Sequence, residues 1–317
     1  MIARLAQAST TALIAAFGLW SAPLFAQPLF AHATSTVDTQ TVPMLIRESP
    51  LQPTRYRVFV IPGSGCAGMA PIADRYFAGL QHAEVIVLHK PWVDPDQWPA
   101  PHNCPASFVQ QDDLASWLRV ARAAIRQYSD ERPSTLPVVL VGISEGAELL
   151  PALAADQPDV KAVVMISNAG LDPAEVGAMQ AERLGQKSAW DALLATAASD
   201  RPDSAVVEGR TLRYWRSLLH WRVLQPLLDL KVPILQAWGG QDALIPASAY
   251  ARFQALAAQR EAGDCAMTFA DADHGLQAGD KDEVQVVWGR VEASVRNKIY
   301  FTDPHDESMI KGICDSM

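Results

Sequence analysis

A chain of 317 residues, 49% hydrophobic and 19% charged, can bury one large core, which excludes a sequence dominated by disorder. Its net charge of −9 and pI near 5.2, with no Lys/Arg cluster, offer no surface to a phosphate backbone, so no nucleic acid partner is expected.

The first 33 residues read as a secretory signal peptide. Arg4 supplies the positive start, Thr11 to Trp20 is apolar but short for a bilayer span, and small residues follow at Ala26 and at Ala31-His32-Ala33. Cleavage is expected after residue 26 or 33, placing the mature chain in the periplasm or outside the cell. No later apolar run is long enough for a transmembrane helix, so no stable membrane span is expected in the mature chain. Four cysteines, an even number, agree with export. Three pairings are open; the favoured one joins Cys66 to Cys104, tying two loops on one rim, and Cys265 to Cys314, fastening the tail. No spacing matches a zinc site, and neither metal nor organic cofactor is expected.

Residues 34–54 are polar and proline-punctuated, an extended lead-in with a short edge strand around Met44 to Arg47. Tyr56 to Ile61 is a dense β-branched and aromatic strand that enters a loop, Pro62-Gly63-Ser64-Gly65-Cys66-Ala67-Gly68. A helix over Ala70 to His82 and a second strand, Ala83 to Leu88, follow. Gly63, Gly65 and Gly68 match the Gly-x-Gly-x-x-Gly dinucleotide fingerprint, but the second strand ends in Leu88-His89-Lys90 without the acidic residue that holds a ribose hydroxyl, so nucleotide binding is set aside.

Lys90 to Pro105, with Trp92, Trp98, His102 and Cys104, reads as a loop whose tryptophans either pack it down or wall a pocket. An amphipathic helix spans Gln111 to Tyr128. Next, the apolar run Val138-Val139-Leu140-Val141 meets Gly142-Ile143-Ser144-Glu145-Gly146 and a helix-forming segment that Pro151 should shorten or kink. Ala162 to Ile166 is another strand. From Leu171 to Leu230 the alternation gives way to mostly helical sequence, read as a cap of about residues 171–230, or as ordinary packing helices. The rhythm resumes with Val232 to Trp238, a helix over Ala247 to Arg260, a last strand at Ala266 to Ala270, and a closing helix from about Asp282 to Ile299. Such alternation predicts a mostly parallel central sheet with helices on both faces, strand-end loops gathered on one rim.

A serine at the tip of a strand-to-helix turn becomes a nucleophile only with a base and an orienting carboxylate. Both lie in strand-end loops, at Gly239-Gly240-Gln241-Asp242 and Asp273-His274-Gly275, in the chain order Ser, Asp, His. These positions resemble the α/β-hydrolase superfamily, and within it the Ser-Glu-Gly turn and the Ile61-Pro62-Gly63-Ser64-Gly65 loop are similar to bacterial exported esterases related to the dienelactone-hydrolase and prolyl-peptidase groups.

The resemblance covers nearly all of residues 34–317 and implies one α/β-hydrolase domain with a helical cap. It implies Ser144 as nucleophile, His274 as base, Asp242 as orienting acid, and an oxyanion hole from the Glu145 N–H plus that of Ser64 or Gly65. Pro62 stands where many members carry histidine, which leaves that second donor open between the two. Asp172 is the rival acid. The implied activity is hydrolysis of a small-molecule carboxylic ester through an acyl-enzyme; the alternatives are a peptidase or amidase with the same residues, or a non-catalytic binding protein on this fold. Haloalkane dehalogenation is disfavoured, because it needs a carboxylate at position 144.

Overall fold

The computed structural model describes residues 29–100 and 103–296. The chain opens with an antiparallel hairpin of β1 (Ala31–Val37) and β2 (Gln40–Arg47), then β3 (Tyr56–Ile61), α1 (Ala70–Tyr76), β4 (Ala83–Leu88), α2 (Ala106–Gln111), α3 (Leu114–Glu131) and β5 (Val138–Ile143). A 3-10 turn over Ser144–Leu149 leads into the short α4 (Leu150–Ala155) and β6 (Val160–Ile166). Between β6 and the next sheet strand come α5 (Pro173–Arg183), α6 (Lys187–Ala197), a two-residue hairpin β7 (Val206–Val207) and β8 (Arg210–Thr211), α7 (Leu212–Leu219) and α8 (Leu224–Asp229). The core closes with β9 (Ile234–Gly239), α9 (Ala247–Ala257), β10 (Asp264–Phe269) and, after a small hairpin, α10 (Val284–Arg296).

Eight strands form one sheet in the order β1-β2-β4-β3-β5-β6-β9-β10. Its first two strands are antiparallel; every pair from β4 to β10 is parallel. This is the mostly parallel sheet that the strand–helix rhythm predicted. The central strands are buried on both faces, which is why they read as unbroken β-branched runs rather than alternating ones. Side chains of one strand feed two separate cores: Phe59, Ile61 and Leu140 pack with α3, α4 and α9, whereas Val58, Val60, Val139 and Val141 face α1 and α10 around Trp288.

The structure also departs from the sequence reading. The lead-in expected to be extended is a full hairpin, and β1 already includes Ala31, His32 and Ala33, registered against Ile46, Leu45 and Met44. Phe30 is buried against Phe77, with the Arg47 guanidinium over its ring. Helix α3 begins at Leu114 because Asp113 caps it, accepting a hydrogen bond from the Ser116 N–H at 2.8 Å. Pro151 occupies the second position of α4, where a missing N–H removes no helical hydrogen bond, so the segment after Ser144 divides into a 3-10 turn and a short α-helix.

Cys66 and Cys104 form a disulfide with Cα atoms 5.6 Å apart. The pairing expected for Cys265 involves Cys314, which lies outside the described residues, as do His102 and the leader up to residue 28. Among the described residues no helix is long and apolar enough to cross a membrane.

Candidate active site

Residues of β5 run straight into Ser144, whose φ of +50° is a left-handed conformation rarely adopted by a residue with a side chain. Close packing holds it there. A Cβ on Gly146 would meet the carbonyl oxygens of Ile61 and Pro62, and one on Gly142 would meet the backbone of Ala147, so the flanking glycines let the turn close against β3 and its own helix. From the other side, a Cβ at Gly63 would lie 3.3 Å from the Ser144 Cβ and 4.0 Å from its Oγ. The loop after β3 therefore rests directly on the serine.

Loops at the ends of β9 and β10 bring up the other two residues. The Ser144 Oγ lies 3.0 Å from His274 Nε2, and His274 Nδ1 lies 2.8 Å from Asp242 Oδ2. The Asp242 side chain is 2% exposed and fully engaged: Oδ1 accepts from the N–H groups of Leu244 and Ile245, and Oδ2 also accepts from the Tyr250 hydroxyl at 2.9 Å. Burial alone would raise its pKa, but the His274 hydrogen bond and charge and the two N–H groups hold it below the usual carboxylate range. The histidine loop is pinned from below. Ser167, itself at φ +52°, donates its hydroxyl to the His274 carbonyl at 2.6 Å.

The rival carboxylates are occupied elsewhere. Asp172 accepts from the N–H groups of Val223 and Leu224 and pairs with Arg222 at 2.8 Å, starting α8 instead of facing the histidine. Asp273 closes its own turn by accepting from the Gly275 and Gln277 N–H groups.

Three groups beside Ser144 were not singled out by sequence reasoning. Behind the serine, Asn168 donates from Nδ2 to the Ser144 carbonyl at 3.1 Å and to Glu148 Oε1 at 2.9 Å. Glu148 is 8% exposed, and its Oε2 has no hydrogen-bond partner. Burial pushes its pKa up to about 8, opposed by Asn168 and helped by the charges of Glu145 and Asp172. Burial thus favours the protonated carboxyl.

Beside the serine, Glu145 buries its carboxylate between Lys90 Nζ, 2.6 Å away, and the Tyr214 hydroxyl. Lys90 also meets Asp112 at 2.7 Å, and Asp112 pairs with Arg210. Two cations and two carboxylates thus form a neutral buried cluster. Burial opposes the charge on Lys90, but the two carboxylates hold its pKa above the ordinary value; burial likewise opposes the Glu145 charge, but Lys90 holds it below. The cluster joins the end of β4, the α2–α3 junction, the serine turn and the β7–β8 hairpin with α7. Nothing in the spacing of residues 90, 112, 145, 210 and 214 predicts their meeting; Lys90 entered the sequence reading as the tail of a strand lacking an acid and the start of the loop that follows.

Of the expected oxyanion donors, Glu145 directly follows Ser144 in the turn. Ser64 is exposed and Gly65, at φ +91°, is half-buried, both one or two residues beyond the glycine that touches Ser144. Gly68 packs against the Asp94 and Pro95 carbonyls, so the glycine fingerprint serves chain packing. Trp92 and Trp98 are 53% and 55% exposed; they do not pack the disulfide loop down.

The eight-strand order, with a Ser, Asp and His arriving from the ends of β5, β9 and β10, decides the architecture. This is an α/β-hydrolase fold. Solved structures agree in shape at low sequence identity. The ferulic acid-bound form of Est1E from Butyrivibrio proteoclasticus aligns with TM-score 0.60 at 17% identity, covering 84% of this chain and 100% of that one. Alpha/beta hydrolase domain-containing protein 10 from mouse gives 0.53 at 15%, covering 85% and 99%. An acylaminoacyl peptidase of Pyrococcus horikoshii gives 0.56 at 12%, covering 88% of this chain and 43% of the peptidase. No protein-family model matches the chain, and no curated protein matches it in sequence. The α/β-hydrolase assignment therefore rests on shape and on the placement of residues at the strand ends.

Proposed function

We propose that the protein is an exported serine hydrolase that cleaves a carboxylic ester through an acyl-enzyme. The observation that carries this is the hydrogen-bonded series Ser144, His274, Asp242, at 3.0 and 2.8 Å, with the serine in left-handed geometry at the end of a central strand. In the proposed reaction His274 Nε2 takes the Oγ proton as Oγ bonds to the acyl carbon, and Asp242 stabilises the imidazolium. The N–H of Glu145, with that of Ser64 or Gly65, binds the oxyanion. His274 then returns the proton to the departing alcohol. A water, deprotonated by the same nitrogen, attacks the acyl-enzyme, and Ser144 recovers its proton as the acid leaves.

Residues 171–230 are proposed to act as the cap. Tyr214 bonds Glu145, Trp221 donates to the Glu148 carbonyl and Arg210 lies beside Gly65 of the β3 loop, contacts that support a cap over the serine turn. Signal cleavage after residue 26 is the version of the export reading that leaves Phe30 and β1 whole; cleavage after 33 would cut within a paired strand.

The test is labelling of purified protein with a fluorophosphonate beside Ser144→Ala, followed by p-nitrophenyl esters of increasing chain length and matched p-nitroanilides. Labelling that vanishes in the variant, with esters turned over faster than anilides, is the expected result. Anilides turned over faster would favour the amidase reading, and absence of labelling would leave a binding protein on this fold.

A further inference from the structure

Arg210 stands at the start of β8 and reaches from the insertion to the loop that flanks the nucleophile. Its Nη1 pairs with Asp112, whose side chain is 1% exposed, while the Tyr214 and Phe108 rings lie 4.7 and 5.7 Å from its Cζ. Its Nη2 would be 3.9 Å from a Cβ on Gly65, two residues from the glycine that touches Ser144. Through Tyr214, which bonds Glu145, the same side chain is one contact from the other side of the serine. Arg210 therefore lies beside one segment assigned to the oxyanion hole and is joined to the other through Tyr214.

One edge of this guanidinium is spent and the other is not. Among the described residues only Nη1 donates to a protein acceptor; Nε and Nη2 donate to none, and the side chain keeps 15% of its surface open to solvent. The unspent donors are held in place by an ion pair and two aromatic rings, so their ordering entropy is met before any ligand arrives. Lys90 and Arg210 balance Asp112 and Glu145, so the remaining capacity of the cluster is directional hydrogen bonding, not net charge. Two adjacent N–H groups in one plane fit a carboxylate, which accepts both at once.

We propose that Arg210 is a specificity-determining residue that binds a free carboxylate on the substrate, so that the preferred substrates are acidic esters, such as monoesters of dicarboxylic acids. This rests on the serine-hydrolase reading and narrows its substrate class. A plain alkyl ester leaves the Arg210 edge to water, whereas an acidic ester replaces that water with a charge-assisted pair.

The experiment measures kcat/KM for mono-p-nitrophenyl adipate against p-nitrophenyl hexanoate, equal in acyl length, and for 3-acetoxybenzoate against phenyl acetate, where the carboxylate rides on the leaving group. Wild-type protein, Arg210→Met and Arg210→Lys are compared. The acid-to-neutral ratio of at least one pair is expected to exceed one in wild type and to fall roughly 10-fold or more in Arg210→Met, with a smaller fall in Arg210→Lys, which keeps a cation against Asp112 but loses the fork. If Arg210→Met does not fold, the lysine variant carries the comparison. Ratios unchanged by substitution, or neutral esters preferred in both pairs, overturn the proposal. Fluorophosphonate labelling of wild type separates the two levels: labelled protein with an unchanged ratio sinks only the Arg210 role, while unlabelled protein removes it together with the hydrolase reading.

Discussion

Replacing Glu148 by glutamine tests whether a protonated carboxyl lies behind the serine. In the folded protein this group titrates at about 8 instead of 4.5, because it is buried near Glu145 and Asp172 with a single hydrogen bond from Asn168. Between those values the folded chain holds a proton that the unfolded chain has released. Stability from this group is therefore complete below pH 4.5 and drains away as pH rises toward 8, at about 1.4 kcal/mol per unit. Over the three units to pH 7.5 the loss reaches about 4 kcal/mol. Glutamine keeps an acceptor for Asn168 Nδ2 and does not titrate. Urea unfolding of wild type and Glu148→Gln at a series of pH values should show a gap that opens from near zero at pH 4.5 to about 4 kcal/mol at pH 7.5, the variant being the more stable. A gap that stays constant across this range would refute the reasoning, since it would mean that Glu148 is ionised in the folded protein at neutral pH.

Asp242→Asn should leave the fold intact and lower kcat for p-nitrophenyl esters by about 10³-fold or more, because the amide oxygen stays on the Leu244 and Ile245 N–H groups, its NH2 donates to His274 Nδ1 and fixes the wrong tautomer, and a neutral amide does not stabilise the imidazolium; a loss below 10-fold would argue against the proposed role of Asp242. Tyr214→Phe removes one hydroxyl from the Glu145 carboxylate and should cut kcat by about 10-fold with little change in KM, the pattern expected if the Glu145 N–H is the proposed oxyanion donor and Tyr214 helps hold it. Removing the disulfide as Cys66→Ser with Cys104→Ser reopens a loop of 38 residues' separation and should cost up to about 4 kcal/mol in urea unfolding. Intact-mass analysis of exported protein should place its first residue at Gln27; a start at Thr34 would require β2 to function without the first half of β1.

Several features were legible because they depend on neighbours in the chain. The β-branched runs announced buried strands, their alternation with helices announced a parallel sheet, and the Gly-x-Ser-x-Gly turn needs only five consecutive residues to specify its geometry. Asp242 and His274 could be picked out because right-handed crossovers send strand ends to one rim, so chain order alone put their loops beside Ser144. The hairpin at Ala31 escaped notice because its first residues are as small and polar as a cleavage region, and only pairing with β2 makes them a strand.

The tertiary structure alone decided which carboxylate serves the histidine and what surrounds the serine. Asp172 and Asp242 both follow sheet strands; the first is consumed by the start of α8, the second by His274. Lys90, Asp112, Glu145, Arg210 and Tyr214 come from five segments: Lys90 meets Asp112 and Glu145 where the loops after β4, α2 and β5 converge, and Arg210 and Tyr214 join them from the stretch between β6 and β9. A charge far from its partner in sequence looks like any solvated surface charge; burial makes the pairing obligatory, and burial is a property of the assembled fold.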